Sequence, residues 1–507
     1  MSTRAATPTA REVAVPAGDP RFAELAARGH NQRFAGTPDR LWLPRSTEQV
    51  ETVLRQAVET VGAGGRIAAR SGGHCLEDFV DNPRVRGLVD LSGMTKVRFD
   101  PAHRAFAVDA GARLGEVYRR LYLNWGVALP AGENAGVGAG GHVSGGGHGV
   151  LCRSHGLVVD HLYAVEVVGV DASGEVRAVV ATREHDDPNR ELWWAHTGGG
   201  GGNFGIATRF WFRTPGGDAS DPATLLPAPP DPVLRFRAEW PWAGLTGDGF
   251  ARLVRNHGAF FERHADPGSP YAGLYDELYL QRKELGTIFL IGQLAGGPDA
   301  ERLLAAHLAE LSDGVGVAPT VTRSATVPWV TAAVRGLSDE PGVRWRMKIK
   351  SGYLRRCFTD RQIAALHRHL TRADPGLAAG MVTLMSYGGA VNTVNSAETA
   401  MAQRDSILKL SYLAAWFTAD QDAAHLAWLR DLYADVYADT GGVPAPGEVN
   451  DGCYINYPDA DLADPAWNTS GIPWHRLYYK DGYTRLRRVK ARWDPLGVFG
   501  HRLSVQA

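Results

Sequence analysis

Half of the residues from Gly132 to Gly149 are glycine, and a second run of five spans Gly198–Gly202. Glycine concentrated in this way does not describe a loose chain. It marks places where backbone must lie close against something, or must take angles that a Cβ disfavours. A third, shorter cluster is Arg70-Ser71-Gly72-Gly73-His74, which follows the apolar run Ile67-Ala68-Ala69 and so sits just past an expected strand. Its three small residues expose backbone N–H groups, and an imidazole follows directly. That combination suits a phosphate-bearing cofactor whose reactive ring lies beside a histidine. Taken alone, the same five residues also describe a tight turn before a surface histidine.

Size and charge narrow the alternatives. A chain of 507 residues is expected to form two domains, or three. Its 44% hydrophobic and 21% charged residues are those of a globular protein. A net charge of -1 leaves no basic excess to hold nucleic acid. No apolar run approaches the ~20 residues that span a bilayer. Met1 to Gly18 is rich in Ala, Thr and Pro and has no apolar core, so it reads as a loose arm that becomes ordered near Pro20 rather than as a secretory signal. Cys75, Cys152, Cys357 and Cys453 are scattered, with neither CxxC pairing nor zinc-ligand spacing. No metal and no disulfide framework are expected, and the expected location is cytoplasmic.

Residues 39–214 alternate strands and helices. A helix starts at the cap Ser46-Thr47-Glu48-Gln49, with Val50, Val53, Leu54 and Ala57 at helical spacing. Strands are expected at 66–70, 88–91, 105–109 and 208–213, a helix at 114–125, and a hairpin from 164–170 to 176–181 across Asp171-Ala172-Ser173-Gly174. Pro215 to Pro232 has a stiff linker composition and reads as a boundary. Beyond it, strands near 233–239, 277–280, 286–292 and 406–418 alternate with helices near 249–263, 299–311, 360–371 and 422–438. This predicts an α+β unit with an antiparallel sheet covered by helices. The segments are then an arm (1–38), a first domain (39–214), a second domain (215–445) and a tail (446–507) that packs back on the first.

The ordered set Arg70–His74, Gly136-Val137-Gly138-Ala139-Gly140-Gly141-His142-Val143-Ser144-Gly145-Gly146-Gly147 and Tyr454-Ile455-Asn456-Tyr457 resembles the berberine-bridge-enzyme-like FAD-linked oxidases of the vanillyl-alcohol-oxidase superfamily. Trp193 to Gly205, Tyr478-Tyr479, Arg485-Leu486 and Val489-Lys490 share the likeness, which runs from about residue 39 to the end. It is closest to bacterial members that oxidise natural products. The resemblance implies a two-lobed FAD domain, completed by the tail, and a substrate domain whose broad sheet roofs the flavin.

It also implies the site. His74 matches the histidine bonded to the flavin 8α-methyl. Arg70, Ser71, Gly72, Gly73, Gly138, Gly140, Gly141, His142, Gly145, Gly205, Ile206 and Asn456 fall on cofactor-binding positions, with Asn134 and His148 at the cofactor edge. Many relatives carry a second tether, a cysteine bonded to flavin C6. That position is Asn134 here, which cannot form a thioether, so one covalent link through His74 is expected. Cys152 lies downstream and reads as a small buried hydrophobe. In an extended loop the Cys75 side chain would point away from that of His74.

Tyr457 matches the catalytic base of relatives, and Tyr387 a second active-site tyrosine. A phenol with a pKa of about 10 is a weak base at neutral pH and needs a cation nearby. Arg346, Lys348 and Lys350 alternate along an expected strand; one could face the pocket, or all three could form a solvated face. The expected activity is hydride transfer from a hydroxyl-bearing carbon of a natural product, such as a glycoside sugar, to flavin N5, with O₂ reduced to H₂O₂. Oxidative C–C or C–N bond formation and a non-redox, flavin-retaining cyclase or isomerase stand as alternatives. The expected partners are a small-molecule substrate and O₂, with no nucleic acid and no membrane. The sequence leaves the oligomeric state open.

Overall fold

The computed structural model describes residues 13–61, 65–217, 220–337, 344–374 and 376–507. Its strands form three sheets. The first holds β1 (Ala14–Val15), β2 (Arg40–Trp42), β3 (Arg66–Arg70) and β4 (Val85–Asp90) in the order β1-β2-β4-β3. Here β2, β4 and β3 run parallel, and β1 pairs antiparallel with β2. The second holds β5 (Val97–Asp100), β6 (Ala105–Asp109), β7 (Leu162–Val170), β8 (Val176–Thr182) and β9 (Ile206–Phe212), all antiparallel, in the order β5-β6-β9-β7-β8. The helix Thr47–Thr60 touches β4, β7 and β8 and turns Val50, Val53, Leu54 and Ala57 inward. Ser46 Oγ caps it by accepting from the Gln49 N–H at 3.3 Å.

The third sheet is the largest. It comprises β10 (Val233–Pro241), β11 (Leu274–Gln281), β12 (Thr287–Ala295), β13 (Thr320–Val327), β14 (Arg346–Leu354), β15 (Ala379–Ser386) and β16 (Leu408–Trp416). Their order is β13-β10-β12-β11-β15-β16-β14, antiparallel throughout. Helices Gly247–Arg263, Ala300–Ser312, Asp360–Thr371 and Asp422–Val436 pack with it. Two of them are pinned to β11, where Asp276 binds His257 Nε2 at 2.9 Å and His307 Nε2 at 2.7 Å, all fully buried. The protein is therefore α+β, as its pattern predicts. Among the described residues, no helix is long and apolar enough to cross a membrane.

The tail folds back onto the glycine run. Lys490 Nζ donates to the Asn203 carbonyl at 2.7 Å, and the Val505 N–H to Asn203 Oδ1 at 3.0 Å. Phe499 bridges to Ile67 of β3.

Some expectations are corrected. Order begins before Pro20: Val13 and Val15 are buried, and β1 adds to the first sheet, because burying two valines favours pairing over a free arm. Residues 1–12 lie outside the described ones. Strands β13 and β15 were not anticipated. β15 is apolar on both faces, so it lacks the alternation that marks a strand.

Candidate active site and cofactor cleft

An open cleft runs along the carboxyl end of β3. Its walls come from residues 67–76, 137–144, 200–207, 455–458 and 499–501. The three glycine clusters thus meet at one place. Arg70, Ser71, Gly72, Gly73, His74, Gly138, Gly140, Gly141, His142, Gly205, Ile206 and Asn456 all line it.

Local packing explains why the walls need glycine. A Cβ on Gly72 would lie 2.3 Å from the Gly138 nitrogen, so the two loops touch backbone to backbone. Gly73 has φ +84°. At Gly141 and Gly201, by contrast, a Cβ would meet nothing within 4 Å and would project into the open cleft. These bare surfaces form a cradle for an extended ligand with a phosphate-bearing middle, and the residues fit FAD. Side chains of the first loop are already engaged. Arg70 is held by Asp90 at 2.9 Å and Asp81 at 3.4 Å, and Ser71 Oγ donates to the Ala110 carbonyl at 2.6 Å. They shape the loop from behind and leave its backbone to face the cleft.

His74 is stacked on His30, with ring centroids 4.5 Å apart. Burial pushes its imidazole down to about 3, helped by the charges of His30, Arg113 and Arg28. It is therefore neutral, with a free nitrogen lone pair, across the physiological range.

Three of the expected cofactor residues stand off the cleft walls. Asn134 Oδ1 accepts from the Gly136 N–H at 2.8 Å, and the Cβ position of Gly136 lies 3.5 Å from His74 Nε2, so Asn134 borders the His74 end. Gly145 makes room for Asn456, whose Nδ2 donates to the His142 carbonyl at 2.9 Å and to Tyr454 Oη at 3.0 Å. His148 is buried against Tyr387, with centroids 5.4 Å apart.

Beyond the Asn456 end lies a cluster on the third sheet. Register places Glu277 opposite Met385, Met385 opposite Lys409, and Lys409 opposite Tyr353, in one row across β11, β15, β16 and β14. Residues paired this way share a sheet face. Lys409 Nζ lies 4.6 Å from the centre of the Tyr457 ring and 4.8 Å from that of Tyr454. Burial brings its ammonium down to about 8, with Glu277 opposing the fall. Glu277 accepts from Tyr275 Oη at 2.7 Å and Tyr279 Oη at 2.5 Å. Desolvation, Glu277, Tyr454 and Glu133 push the Tyr457 phenol above its usual range. Tyr387 is fully buried, and its hydroxyl donates to the Gln403 carbonyl at 2.9 Å. Its ring packs edge-on against Tyr353, which does the same with Tyr454.

The cation facing Tyr457 is not one of those expected. Arg346 pairs with Asp422 at 2.6 Å, while Lys348 and Lys350 are buried among carboxylates. The three alternate with Tyr353 along β14 and so turn away from the face that carries Lys409; nor do they form a solvated face. Sequence reasoning missed Lys409 and Glu277. The signal was a lone lysine inside the apolar stretch Ile407-Leu408-Lys409-Leu410, since lysine is rarely buried without purpose.

An FAD binding domain model matches residues 38–179, and a berberine and berberine-like model matches 453–506. The chain is 52% identical to aclacinomycin-N/aclacinomycin-A oxidase of Streptomyces galilaeus, over 96% of this chain and 88% of that one. It is 31% identical to hexose oxidase of Chondrus crispus, over 96% and 93%. A crystal structure of a glycopeptide hexose oxidase complexed with teicoplanin superposes with a TM-score of 0.93 at 48% identity, covering 98% of this chain and 99% of that one. Two family models match its amino-terminal part and its tail, and relatives of 52% and 31% identity match it over 96% of its length, so the chain belongs to the berberine-bridge-enzyme-like family of FAD-dependent oxidoreductases.

Proposed function

We propose that the protein oxidises a hydroxyl-bearing carbon of a glycosylated or polycyclic natural product, with Tyr457 as base and His74 as the sole covalent hold on FAD. FAD supplies the hydride acceptor, and O₂ takes the electrons on. The observation that carries the reading is Lys409 poised 4.6 Å from the Tyr457 ring. Tyr457 takes the hydroxyl proton as its phenolate and becomes the neutral phenol, and the ammonium opposite favours the phenolate that must be present beforehand. Without that cation the phenol, already pushed up by desolvation, would hold its proton too tightly.

Tyr387 is a weaker candidate for direct proton transfer, because its hydroxyl is committed to Gln403. Its proposed part is to back the Tyr353–Tyr454 wall of the pocket. At the other end, an unprotonated His74 is ready to bond carbon, and Asn134 offers no sulfur for a second bond. The proposed division of the chain takes 39–214 and 446–507 as the FAD domain, which β1 of the 1–38 segment joins, and 215–445 as the substrate domain. Four free thiols support a cytoplasmic setting.

The relatives are named oxidases, which favours oxidation over the bond-forming and non-redox alternatives. Anaerobic mixing of the holoenzyme with candidate compounds, starting from aclacinomycin N and simple hexoses, tests the reading. Bleaching of the flavin absorbance, followed in air by H₂O₂ equal to product, is expected. Conversion of any compound without bleaching would sink it.

A further inference from the structure

We propose that Lys348 and Lys350 are positioning residues, forming a buried ionic bridge that sets the Tyr457 loop at a fixed distance from the His74 loop. The proposal rests on the assignment of Tyr457 as base. Lys348 Nζ contacts Glu77 and lies 2.7 Å from Asp459 Oδ1. Lys350 Nζ lies 2.7 Å from Asp459 Oδ2 and 2.8 Å from Asp461 Oδ2. Arg430 completes the set at 2.8 Å from Asp461 Oδ1. Both lysines and the three carboxylates are 6% exposed or less.

What matters is where these partners sit in the chain. Glu77 follows His74 by three residues, and Asp459 follows Tyr457 by two. One ammonium, that of Lys348, therefore ties the loop of the flavin tether to the loop of the base, while β14 of the roof sheet supplies the anchor. The Ala460 N–H also reaches Glu77, at 3.4 Å, and the Asp459 N–H donates to Tyr478 Oη at 2.9 Å.

Lys348, Lys350 and Arg430 contact the three carboxylates, and Arg33 adds a further positive charge that acts on Glu77 and Asp461. Such a cluster is a poor source of stability, because well-packed apolar residues often serve a core as well or better. It is, however, demanding in direction. Each oxygen of Asp459 accepts from a different lysine, so a shift of the Tyr457 loop breaks at least one contact. Taking away Lys348 leaves Asp459 with Lys350 and removes the ammonium that joins it to Glu77, so the two loops lose their tie. A misplacement of ~1 Å at a reacting centre can cost ~100-fold in rate.

Two measurements on the holoenzyme decide the question. The first is the separation of the His74 and Tyr457 Cα atoms in crystal structures of Lys348→Met and Asp459→Asn. The second is the anaerobic rate of flavin reduction per bound flavin, using the compound that bleaches the parent fastest, with aclacinomycin N as the first probe. We expect the separation to change by ~1 Å and reduction to slow roughly tenfold or more, with KM changed less than about threefold. Lys348→Arg should recover most of the rate. The midpoint of the pH profile should not move, because Lys409 still faces the phenol.

Asp459→Asn keeps the shape of the site and stands in if Lys348→Met fails to fold. An unchanged separation, or reduction within about twofold of the parent while Tyr457→Phe is slow, overturns the bridge. A shifted midpoint with an unchanged plateau also overturns it, in favour of electrostatic tuning. Reduction of Tyr457→Phe at the parent rate removes the base assignment instead, and the crystallographic separation alone then decides.

Discussion

Lys409 and Tyr457 face one another inside the protein, the ammonium 4.6 Å from the ring centre and the lysine only 3% exposed. The phenol is pushed up by burial, Glu277, Tyr454 and Glu133, and the ammonium lies over its ring. Lys409→Met should lower the rate of flavin reduction about 100-fold, a size typical of a disabled acid–base pair. Its rate should recover only at more alkaline pH than the parent's. Stopped-flow reduction from pH 6 to 10 reads both effects, and an unshifted profile would remove Lys409 from the mechanism.

The same lysine should be a burden on the fold. Its charge is disfavoured by burial, which brings it from an ordinary 10.5 to about 8. Between these values the unfolded chain binds more protons than the folded one, so stability rises with pH across that window. The full penalty, about 3 kcal/mol at 1.36 kcal/mol per unit, applies below about pH 8 and vanishes above about 10.5. Lys409→Met should therefore raise Tm at pH 7, with a smaller gain at pH 9.5. Equal gains at both pH values would contradict the assignment.

His74→Ala should leave FAD held without a covalent bond, or not held at all. Denaturing gels viewed for flavin fluorescence report this directly. Covalent flavin persisting in the variant would show that another residue carries the link. Because His74 stays neutral down to about pH 3, attachment in the parent should be equally fast at pH 5.5 and pH 8.

Asn134 borders the His74 end of the cleft through Gly136. Asn134→Cys is expected to gain a second bond to the cofactor, visible as a flavin that remains on a peptide containing residue 134 after digestion. A free thiol at that position in the fully loaded variant would place Asn134 away from the ring edge.

Gly141 offers a cleaner test of the cradle. A side chain there enters open space, so Gly141→Leu should fold normally but compete with FAD for the cleft. The expected result is an apoprotein of unchanged Tm that retains much less cofactor. Normal FAD content in the purified variant would move the cofactor off this wall.

Much of the cleft was legible because its parts are local. His74 is contiguous with its glycines, and Gly136–Gly147 is a single run, so one stretch of sequence holds both the shape and the reactive group. The roof was not legible in the same way. Lys409 and Glu277 lie on different strands and meet only through the register of β15 between them. Lys348 and Lys350 were visible as a pattern, but their meaning depends on Glu77 and Asp459, which lie 271 and 109 residues away. No periodicity within β14 could distinguish a pocket, a wet surface and a buried bridge. Tyr457 was recognisable from its motif, whereas the cation that serves it was not.

The row Glu277–Met385–Lys409–Tyr353 makes the chemistry depend on parity. Lys409 is flanked by Leu408 and Leu410, so a slip of one position in β16 would swing a leucine toward Tyr457 and turn the lysine to the helices. Such a slip would keep a strand, a sheet and an apolar core while removing the ammonium that faces Tyr457. A slip of two positions would restore the face but bring Ile407 or Ser411, not a lysine, to that place. The charge beside Tyr457 is fixed by strand register as well as by the identity of residue 409.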